Sequence, residues 1–418
     1  MQRHFHQGGS VTIELLAPAG DSVAVGELLK LPEVEGEPFA AARRATLARL
    51  SNLVLRDPVL RADAASVALA YWLRRANIDR LTEGYERRLA LDPEIVFVPV
   101  GRVFHVAPGN VDTVFVYSWA IAWLCGNQSI VRVAGRRSDV LRALLGLVDR
   151  TMRDDPELAA GNRFITYEHS DEVSAALSRW SNHRVLWGGD ETVTHLRAMP
   201  LSPHSSERAF GSKYSWSVVK AASYLGATGE TVTKLAAGFF NDIFWFDQMA
   251  CSSPHMLVWI GSAADTSKAI DRFHTALAGE VARRGYRGAD SSAMNRLNFA
   301  FDLACEADLT ADLSQQEFLG IRLADAEAPR QEICGGGLFT HVRAESLTAA
   351  AALARENGQT VTQFGFAREE LVAFAKLAGA RGIDRLVPVG EALAFDVNWD
   401  GFDLIGDFLR RVTVRPQA

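Results

Sequence analysis

The segment Val98–Gly135, VPVGRVFHVAPGNVDTVFVYSWAIAWLCGNQSIVRVAG, contains the unit that decides the fold. A short apolar strand, Arg102–Ala107, precedes a helical run, Asp112–Cys125, and a second strand, Ser129–Val133. Short apolar strands that alternate with helices predict a parallel sheet covered on both faces. The helical run contains a charged residue and is too short to cross a bilayer, so we expect a buried helix.

The same alternation continues to residue 198 and resumes after residue 228. It predicts an α/β protein in which a doubly wound nucleotide-binding domain precedes a second α/β domain. The further predicted elements are helix Ser138–Arg150, strand Arg163–Tyr167, helix Asp171–Trp180, strand Arg184–Trp187, helix Asp190–Ala198, helix Thr231–Phe240, strand Met256–Ile260, helix Ser267–Arg283, strand Gly337–Val342, helix Leu347–Glu356, strand Thr360–Phe364 and helix Arg368–Leu377.

A chain of 418 residues is too long for one compact core. We expect residues 1–94 to form a strand and helical segment that packs on the nucleotide domain. Residues 95–240 would form the nucleotide-binding domain, residues 241–385 would form the second α/β domain, which contains Cys251, and residues 386–418 would form a strand-rich C-terminal segment.

Composition narrows the class of protein. A formal net charge of −6 gives no electrostatic reason to expect nucleic acid as a partner. The N-terminal sequence MQRHFHQGGS lacks the apolar core of a signal peptide, and no segment predicts a membrane span. The four cysteines lie far apart without CxxC or zinc-type spacing, which favours reduced thiols in a cytoplasmic protein without a metal site.

Cys251 is the strongest candidate for a nucleophile. It follows a predicted helix in the sequence Ala250-Cys251-Ser252-Ser253-Pro254, where small residues leave the backbone open. A nucleophilic cysteine needs access and thiolate character, which exposed loop amides can supply. A buried structural cysteine fits this position equally well, and the apolar helical contexts of Cys125 and Cys305 favour that role. His255 would lie on the next strand and point away from the thiol.

Asn110 lies in the turn Ala107-Pro108-Gly109-Asn110, between a predicted strand and a predicted helix. Its side-chain amide is suited to donate a hydrogen bond to an oxyanion. A helix N-cap or turn residue explains the same position, and position alone favours this structural role.

Two further segments are candidates for cofactor binding. Trp187-Gly188-Gly189-Asp190 again joins a strand to a helix, and paired glycines allow a phosphate to approach helix N-terminal amides. An ordinary connection with Asp190 as N-cap explains it equally well. Glu332 precedes the flexible Cys334-Gly335-Gly336-Gly337 and could accept from ribose hydroxyls or be a solvated carboxylate.

The order of these motifs resembles the aldehyde dehydrogenase superfamily and, within it, the LuxC-type acyl-CoA reductases. The resemblance spans roughly residues 95–405. Besides Val98–Gly135, it rests on the segments HRVLWGGDETV (183–193), RAFGSKYSWSVV (208–219), FDQMACSSPH (246–255) and RLVPVGEALAFDVNWDGFDL (385–404).

The resemblance implies a role for each candidate residue. Cys251 would accept the acyl group, and Asn110 together with the Cys251 backbone N–H would donate to the oxyanion. Trp187, Gly188 and Gly189 would lie at the cofactor pyrophosphate, and Glu332 would contact the ribose on the nicotinamide side.

Two departures from the superfamily pattern refine this prediction. Arg132 occupies the position of a lysine that contacts the adenosine ribose, and its planar guanidinium favours NADPH, with NADH possible. Hydrolytic members have a glutamate base before the nucleophile, but the matching segment here, Ala209-Phe210-Gly211-Ser212-Lys213, has no carboxylate. Water activation is therefore not expected there.

The resemblance thus implies an NAD(P)H-dependent reductase that forms an aldehyde from an activated, apolar acyl group through a Cys251 thioester. The donor would be acyl-CoA, an acyl-carrier protein or an acylated protein. The resemblance also implies a homodimer or homotetramer. An aldehyde-oxidising dehydrogenase and a cofactor-free cysteine acyltransferase remain alternatives.

Overall fold

A computed structural model describes residues 12–32, 36–135, 137–323 and 330–415. The N-terminal residues on which the signal-peptide expectation depends lie outside these ranges. The chain divides into two compact units. Unit 1 comprises Met1–Gly211 and Phe402–Ala418, and unit 2 comprises Ser212–Gly401.

The secondary structure alternates as the sequence predicts, with additional elements between the predicted ones. The strands are β1 Glu14–Ala17, β2 Ile95–Pro99, β3 Arg102–Val106, β4 Gln128–Arg132, β5 Asn162–Thr166, β6 His183–Trp187, β7 Ser206–Phe210, β8 Tyr214–Lys220, β9 Pro254–Ile260, β10 Leu309–Asp312, β11 Leu319–Leu323, β12 Leu338–Ala344, β13 Gly358–Phe364, β14 Arg385–Pro388, β15 Asn398–Trp399, β16 Phe402–Asp403 and β17 Leu409–Thr413. The helices are α1 Val25–Leu28, α2 Ala41–Arg56, α3 Ala64–Trp72, α4 Arg75–Leu89, α5 Val114–Leu124, α6 Asp139–Arg153, α7 Pro156–Gly161, α8 Asp171–Trp180, α9 Asp190–Arg197, α10 Ala221–Gly226, α11 Gly229–Phe244, α12 Ala263–Arg284, α13 Asp290–Ala304, α14 Leu347–Ala350, α15 Arg368–Ala378 and α16 Leu404–Asp407.

The main sheet of unit 1 has the strand order β1-β5-β4-β3-β6-β7. Strands β3 to β7 are parallel, and β1 is antiparallel to β5 at one edge. The chain adds β4 and β5 on one side of β3 and then β6 and β7 on the other, so the order reverses between β3 and β6. This is the doubly wound arrangement that the sequence predicts, and ligands bind beside such a reversal.

Helix α5, which joins β3 to β4, is buried on nearly all sides, as its continuous apolar sequence predicts. Helix α2 packs against it through Arg43, which is 1% exposed. The Arg43 guanidinium lies 4.0 Å from the ring centre of Trp123 and donates to the Trp123 carbonyl at 2.8 Å. Helices α2, α5 and α6 are therefore part of one core.

The sheet of unit 2 has the order β10-β11-β12-β9-β8-β13-β14 and is parallel except for β10. Strand β8 pairs with β9 and β13, and helix α11 packs on α12. The boundary between the units therefore lies at residues 211/212, earlier than the expected residue 240. The C-terminal segment is also divided, since β14 joins this sheet while β17 pairs with β2 in unit 1.

Among the described residues, no helix has both the length and the apolar character that crossing a membrane requires.

Candidate active site

Cys251 lies in the loop between α11 and β9, at the amino ends of the parallel strands β8, β9 and β13. The residue is half-buried. The Ser215 hydroxyl donates to the Cys251 carbonyl at 2.7 Å and accepts from the Thr360 backbone N–H at 3.1 Å. Two neighbouring strands thus fix the backbone of the candidate nucleophile.

Gln248 anchors the same loop from inside unit 2, where its side chain is fully buried. Its Nε2 donates to the carbonyls of Pro254 and Leu338, both at 2.8 Å. Its Oε1 accepts from the backbone N–H groups of Gly337 and Leu338, both at 2.9 Å. These four bonds use the full hydrogen-bonding capacity of the amide. They attach the loop of residues 245–253, which we call the nucleophile loop, to the start of β12.

The Gly335-Gly336-Gly337 run, directly before β12, lies against this loop. All three glycines have positive φ, from +61° to +86°, a conformation that favours glycine. The Gly336 N–H donates to the Asp247 carbonyl at 2.7 Å, and buried Arg296 donates to the Gly336 carbonyl at 2.5 Å. The flexible segment expected from sequence is therefore held against the nucleophile loop.

Glu332 lies before these glycines and forms an ion pair with Arg330, with 2.7 Å between Nε and Oε1. The Glu332 side chain is 54% exposed. This geometry matches the solvated carboxylate that the sequence left open, and a contact with ribose remains a prediction.

The Cys251 sulfur accepts a hydrogen bond from Gln359 Nε2 at 3.3 Å. The same nitrogen donates to Asp400 Oδ1 at 2.5 Å. Burial and the negative charge of Asp400 raise the pKa of the Cys251 thiol to about 11, while the Gln359 bond and the positive charge of Arg385 lower it. The backbone N–H of Cys251 also lowers the pKa, but burial and the Asp400 charge outweigh it, so the free protein holds a thiol at neutral pH.

Asp400 is a carboxylate that acts on Cys251 through its charge and through its bond with Gln359, and sequence reasoning assigned no role to it. It is 5% exposed, and burial raises its pKa to about 6, while the Gln359 bond, Lys213 and Arg385 lower the pKa and Asp384 raises it. The only sequence signal was the Trp399-Asp400-Gly401 motif. Lys213, in the segment without a carboxylate, forms an ion pair with Asp384 at 3.3 Å.

His255 lies on β9 beside the ring of Tyr214, with 5.5 Å between ring centres. Burial lowers its pKa to about 4, so the imidazole is neutral at physiological pH. Its Nε2 is buried without a hydrogen-bond partner in the described part of the chain. The expectation that His255 points away from the thiol and is structural remains a prediction.

The other cysteines differ in exposure. Cys125 is buried, and burial raises the pKa of its thiol. Cys305 is exposed at the end of α13, so its predicted burial is wrong. The apolar residues before it belong to a helix whose last turn faces solvent, where Phe301 is 69% exposed.

In unit 1, the turn that contains Asn110 follows β3, and Trp187 ends the adjacent parallel strand β6. Both segments therefore lie at the carboxyl ends of the strands where the sheet order reverses. Asn110 is exposed, and helix α5 has Thr113, not Asn110, as its N-cap. A turn residue and an oxyanion donor both remain open as roles for Asn110.

Trp187 stacks on Phe210 with 3.8 Å between ring centres and donates from Nε1 to the Ser118 hydroxyl at 3.3 Å. Gly189, not Asp190, is the N-cap of α9, and no side chain caps this helix. The uncapped amides fit a phosphate, but the carboxylates of Asp190 and Glu191 in the first turn oppose one electrostatically.

Arg132 is the last residue of β4, and its guanidinium lies 4.7 Å from the ring centre of Tyr167. Its Nε is buried without a hydrogen-bond partner in the described residues. A cation at the carboxyl end of a parallel strand fits a nicotinamide dinucleotide phosphate. No cluster of metal-ligating side chains occurs within the described ranges.

Comparison with known proteins supports the sequence resemblance. The sequence model of the acyl-CoA reductase (LuxC) family matches residues 86–289, just under half of the chain. This range contains Asn110, Arg132, Trp187 and Cys251 and ends before Glu332, Gln359 and Asp400.

Curated relatives include a long-chain acyl-protein thioester reductase from Aliivibrio fischeri, 28% identical over 184 residues, which are 42% of this chain and 36% of that protein. A long-chain acyl-protein thioester reductase 2 from Photobacterium leiognathi is 26% identical over 170 residues, covering 40% of this chain and 34% of the relative. The matches therefore span about a third of the length of these curated relatives.

Solved structures extend the comparison to the whole fold. A methylmalonate-semialdehyde dehydrogenase from Oceanimonas doudoroffii matches with a TM-score of 0.66 at 14% identity, covering 99% of this chain and 97% of the other. An NAD-dependent benzaldehyde dehydrogenase from Corynebacterium glutamicum gives the same TM-score at 13% identity, with 99% and 96% coverage. The predicted resemblance is confirmed: the chain matches the acyl-CoA reductase (LuxC) family over residues 86–289 and has the aldehyde dehydrogenase fold.

Proposed function

We propose that this protein reduces an activated acyl group to an aldehyde through a thioester on Cys251, with a nicotinamide cofactor as hydride donor. The observation that supports this proposal most is the set of residues that surrounds and positions the Cys251 sulfur. It is half-buried on an anchored loop, accepts an amide N–H from Gln359, and lies on a fold of oxidoreductases. A structural cysteine would not need this arrangement.

The first half-reaction transfers the acyl group. The Cys251 thiol loses its proton, its sulfur forms a bond to the acyl carbon, and the donor thiolate departs with a proton. Asn110 and the Cys251 backbone N–H are proposed as donors to the tetrahedral oxyanion, a role that rests on the resemblance.

The second half-reaction reduces the thioester. A nicotinamide held by the cofactor-binding residues proposed below would supply hydride to the thioester carbonyl, and one proton would complete a thiohemiacetal on Cys251. Release of aldehyde then restores the thiol. The enzyme's own residues orient the thioester, stabilise its oxyanion and exclude water.

We propose NADPH as the preferred cofactor, with NADH as the second choice. The unpartnered buried Nε of Arg132 and its position at the end of β4 support a phosphate contact by this residue. Trp187, Gly188, Gly189 and Glu332 are proposed to contact the cofactor on the strength of the resemblance.

The acyl donor is proposed to be an acyl-CoA, an acyl-carrier protein or an acylated protein with an apolar chain. The names of the curated relatives favour an acylated protein and a long chain. On the resemblance alone, we also propose a cytoplasmic homodimer or homotetramer.

Asp400 supports a second candidate function, an aldehyde-oxidising dehydrogenase that releases acid. A carboxylate with a pKa of about 6 is ionised at neutral pH and is therefore able to act as a base toward water. Two features oppose this role. Asp400 is 5% exposed, and its Oδ1 is bound by Gln359.

Product analysis separates these functions. Purified protein is incubated with a panel of acyl-CoAs and NADPH or NADH, and aldehyde, free acid and transferred acyl thioester are measured by mass spectrometry. We expect aldehyde in amounts equal to the cofactor oxidised, and none with Cys251→Ala. Acid as the main product from aldehyde and NAD(P)⁺, with no aldehyde from any acyl donor, would support the dehydrogenase. Transfer without cofactor oxidation would support an acyltransferase.

A further inference from the structure

Two buried polar residues outside the family match, Gln359 and Asp400, form a hydrogen-bonded pair, and the Gln359 amide also donates to the Cys251 sulfur. We propose that Gln359 is a positioning residue that stabilises the Cys251 thiolate, and that Asp400 holds the Gln359 amide in the required orientation while opposing thiolate formation by its charge. This inference rests on the proposed role of Cys251 as nucleophile.

The orientation of the Gln359 amide is fixed by its three partners. Nε2 donates to Cys251 Sγ at 3.3 Å and to Asp400 Oδ1 at 2.5 Å, while the Thr360 hydroxyl donates to Oε1 at 3.3 Å. A flipped amide would place Oε1 against the Asp400 carboxylate and leave the sulfur without a donor. Because Gln359 is fully buried, water does not compete for these bonds.

Asp400 is held in place by its backbone as well as by its hydrogen bond. Its φ is +48°, a left-handed conformation that aspartate and asparagine adopt more readily than most residues. Gly401 follows with φ of +75°, and a Cβ at Gly401 would lie 2.8 Å from Asp384 Oδ1. The turn therefore presents the carboxylate to Gln359 in one geometry.

The charges around the pair come from four positions. Arg385 at the start of β14 favours ionisation of both Cys251 and Asp400. Lys213, before β8, favours ionisation of Asp400, and Asp384 opposes it. The Asp400 charge itself opposes the Cys251 thiolate. Two negative charges that share one amide nitrogen repel each other, so the thiolate is favoured when Asp400 is neutralised.

The two residues therefore act on the thiol in opposite directions. Loss of the Gln359 donor removes a hydrogen bond to the thiolate and raises the thiol pKa. Loss of the Asp400 charge removes a repulsion of the thiolate and lowers the pKa of the Cys251 thiol. Asparagine at position 400 keeps an oxygen that accepts from Gln359, so Asp400→Asn removes the charge and retains the amide orientation. A purely structural pair would not produce effects of opposite sign.

The experiment measures the rate of iodoacetamide alkylation of Cys251 from pH 6 to pH 10 without substrate or cofactor. Peptide mass spectrometry separates Cys251 from the exposed Cys305. We compare wild type, Gln359→Met and Asp400→Asn, and Asp396→Asn as the control that removes an exposed charge near Arg385. Circular dichroism verifies folding.

At pH 8 we expect Asp400→Asn to react several-fold faster than wild type and Gln359→Met several-fold slower, since each unit of thiol pKa changes the thiolate fraction about tenfold. Asp396→Asn should stay within twofold. Alkylation rates that change in the same direction in Gln359→Met and Asp400→Asn, or that change in neither, would overturn the proposal. If Gln359→Met does not fold, the direction for Asp400→Asn decides alone. Because no substrate is present, this result is independent of whether an acyl adduct forms.

Discussion

The Gln248 amide gives the most sharply defined test of how unit 2 holds its candidate nucleophile. Replacement by leucine conserves volume approximately but removes four hydrogen bonds to backbone groups. The carbonyls of Pro254 and Leu338 and the N–H of Gly337 lose this partner, whereas the Leu338 N–H also has the Gly335 carbonyl at 3.4 Å.

The magnitude follows from the burial of these groups. Each unsatisfied buried group costs roughly 1–3 kcal/mol, and partial relaxation of a loop reduces the sum. We therefore expect Gln248→Leu to destabilise the junction between the nucleophile loop and β12 by about 3–5 kcal/mol. If the junction opens locally, amide exchange at Gly337 and Leu338 should accelerate by about 10²-fold to about 4 × 10³-fold, because 1.4 kcal/mol corresponds to a factor of ten.

Hydrogen exchange followed by mass spectrometry measures this effect at peptide resolution. Peptides that cover residues 247–256 and 335–344 should lose protection, while the peptide over β4 in unit 1 serves as the internal reference. Gln315→Leu is the matched control, since Gln315 is only partly buried and its side chain donates only to the Ser314 hydroxyl among the bonds described. Protection within threefold of wild type in Gln248→Leu would refute the anchoring role.

Three further predictions address the oxyanion, the cofactor and pH. Asn110→Ala should lower turnover by about 10²–10³-fold with little change in KM, and a fully active Asn110→Asp enzyme would exclude oxyanion donation. Arg132→Ala should raise the KM for NADPH more than for NADH, and equal effects would exclude a contact with the 2′-phosphate. Burial lowers the pKa of five histidines below the unfolded value: His105, His183, His255, His274 and His341. Below about pH 6.5 the unfolded chain therefore binds more protons than the folded protein, and the free energy of unfolding should fall as the pH falls. Each histidine contributes up to about 1.4 kcal/mol per pH unit. Asp242 and Asp400, with pKa values raised to about 7 and about 6, act in the opposite direction, and a thermal midpoint that rises steadily from pH 7 to pH 4.5 would show that the carboxylates dominate.

The first sheet was predictable because its strands are short, apolar and separated by amphipathic helices. Strand β7, SERAF, and strand β8, YSWSVVK, were missed, since polar residues interrupt both runs. Their omission moved the expected domain boundary to residue 240, although β8 already belongs to unit 2. Sequence periodicity therefore located the elements better than it assigned them to units.

The candidate site was only partly predictable for a different reason. Cys251 stood out through its local context, but Gln359 and Asp400 lie 108 and 149 positions further along the chain. Parallel strand pairing brings β8, β9 and β13 together at their amino ends, and no local pattern encodes that meeting. The raised pKa of the Cys251 thiol likewise arises from burial and from Asp400, which the sequence did not associate with the loop.

Intact-mass measurement of the protein after incubation with acyl-CoAs, in the absence of cofactor, tests the proposed thioester on Cys251. We expect a mass increase of one acyl group on Cys251 that hydroxylamine removes, and that NADPH removes with release of one aldehyde. Cys251→Ala should abolish the adduct, while Cys125→Ala and Cys305→Ala should retain it. An adduct confined to another cysteine, or an adduct on Cys251 that NADPH and NADH leave intact, would exclude the proposed reaction.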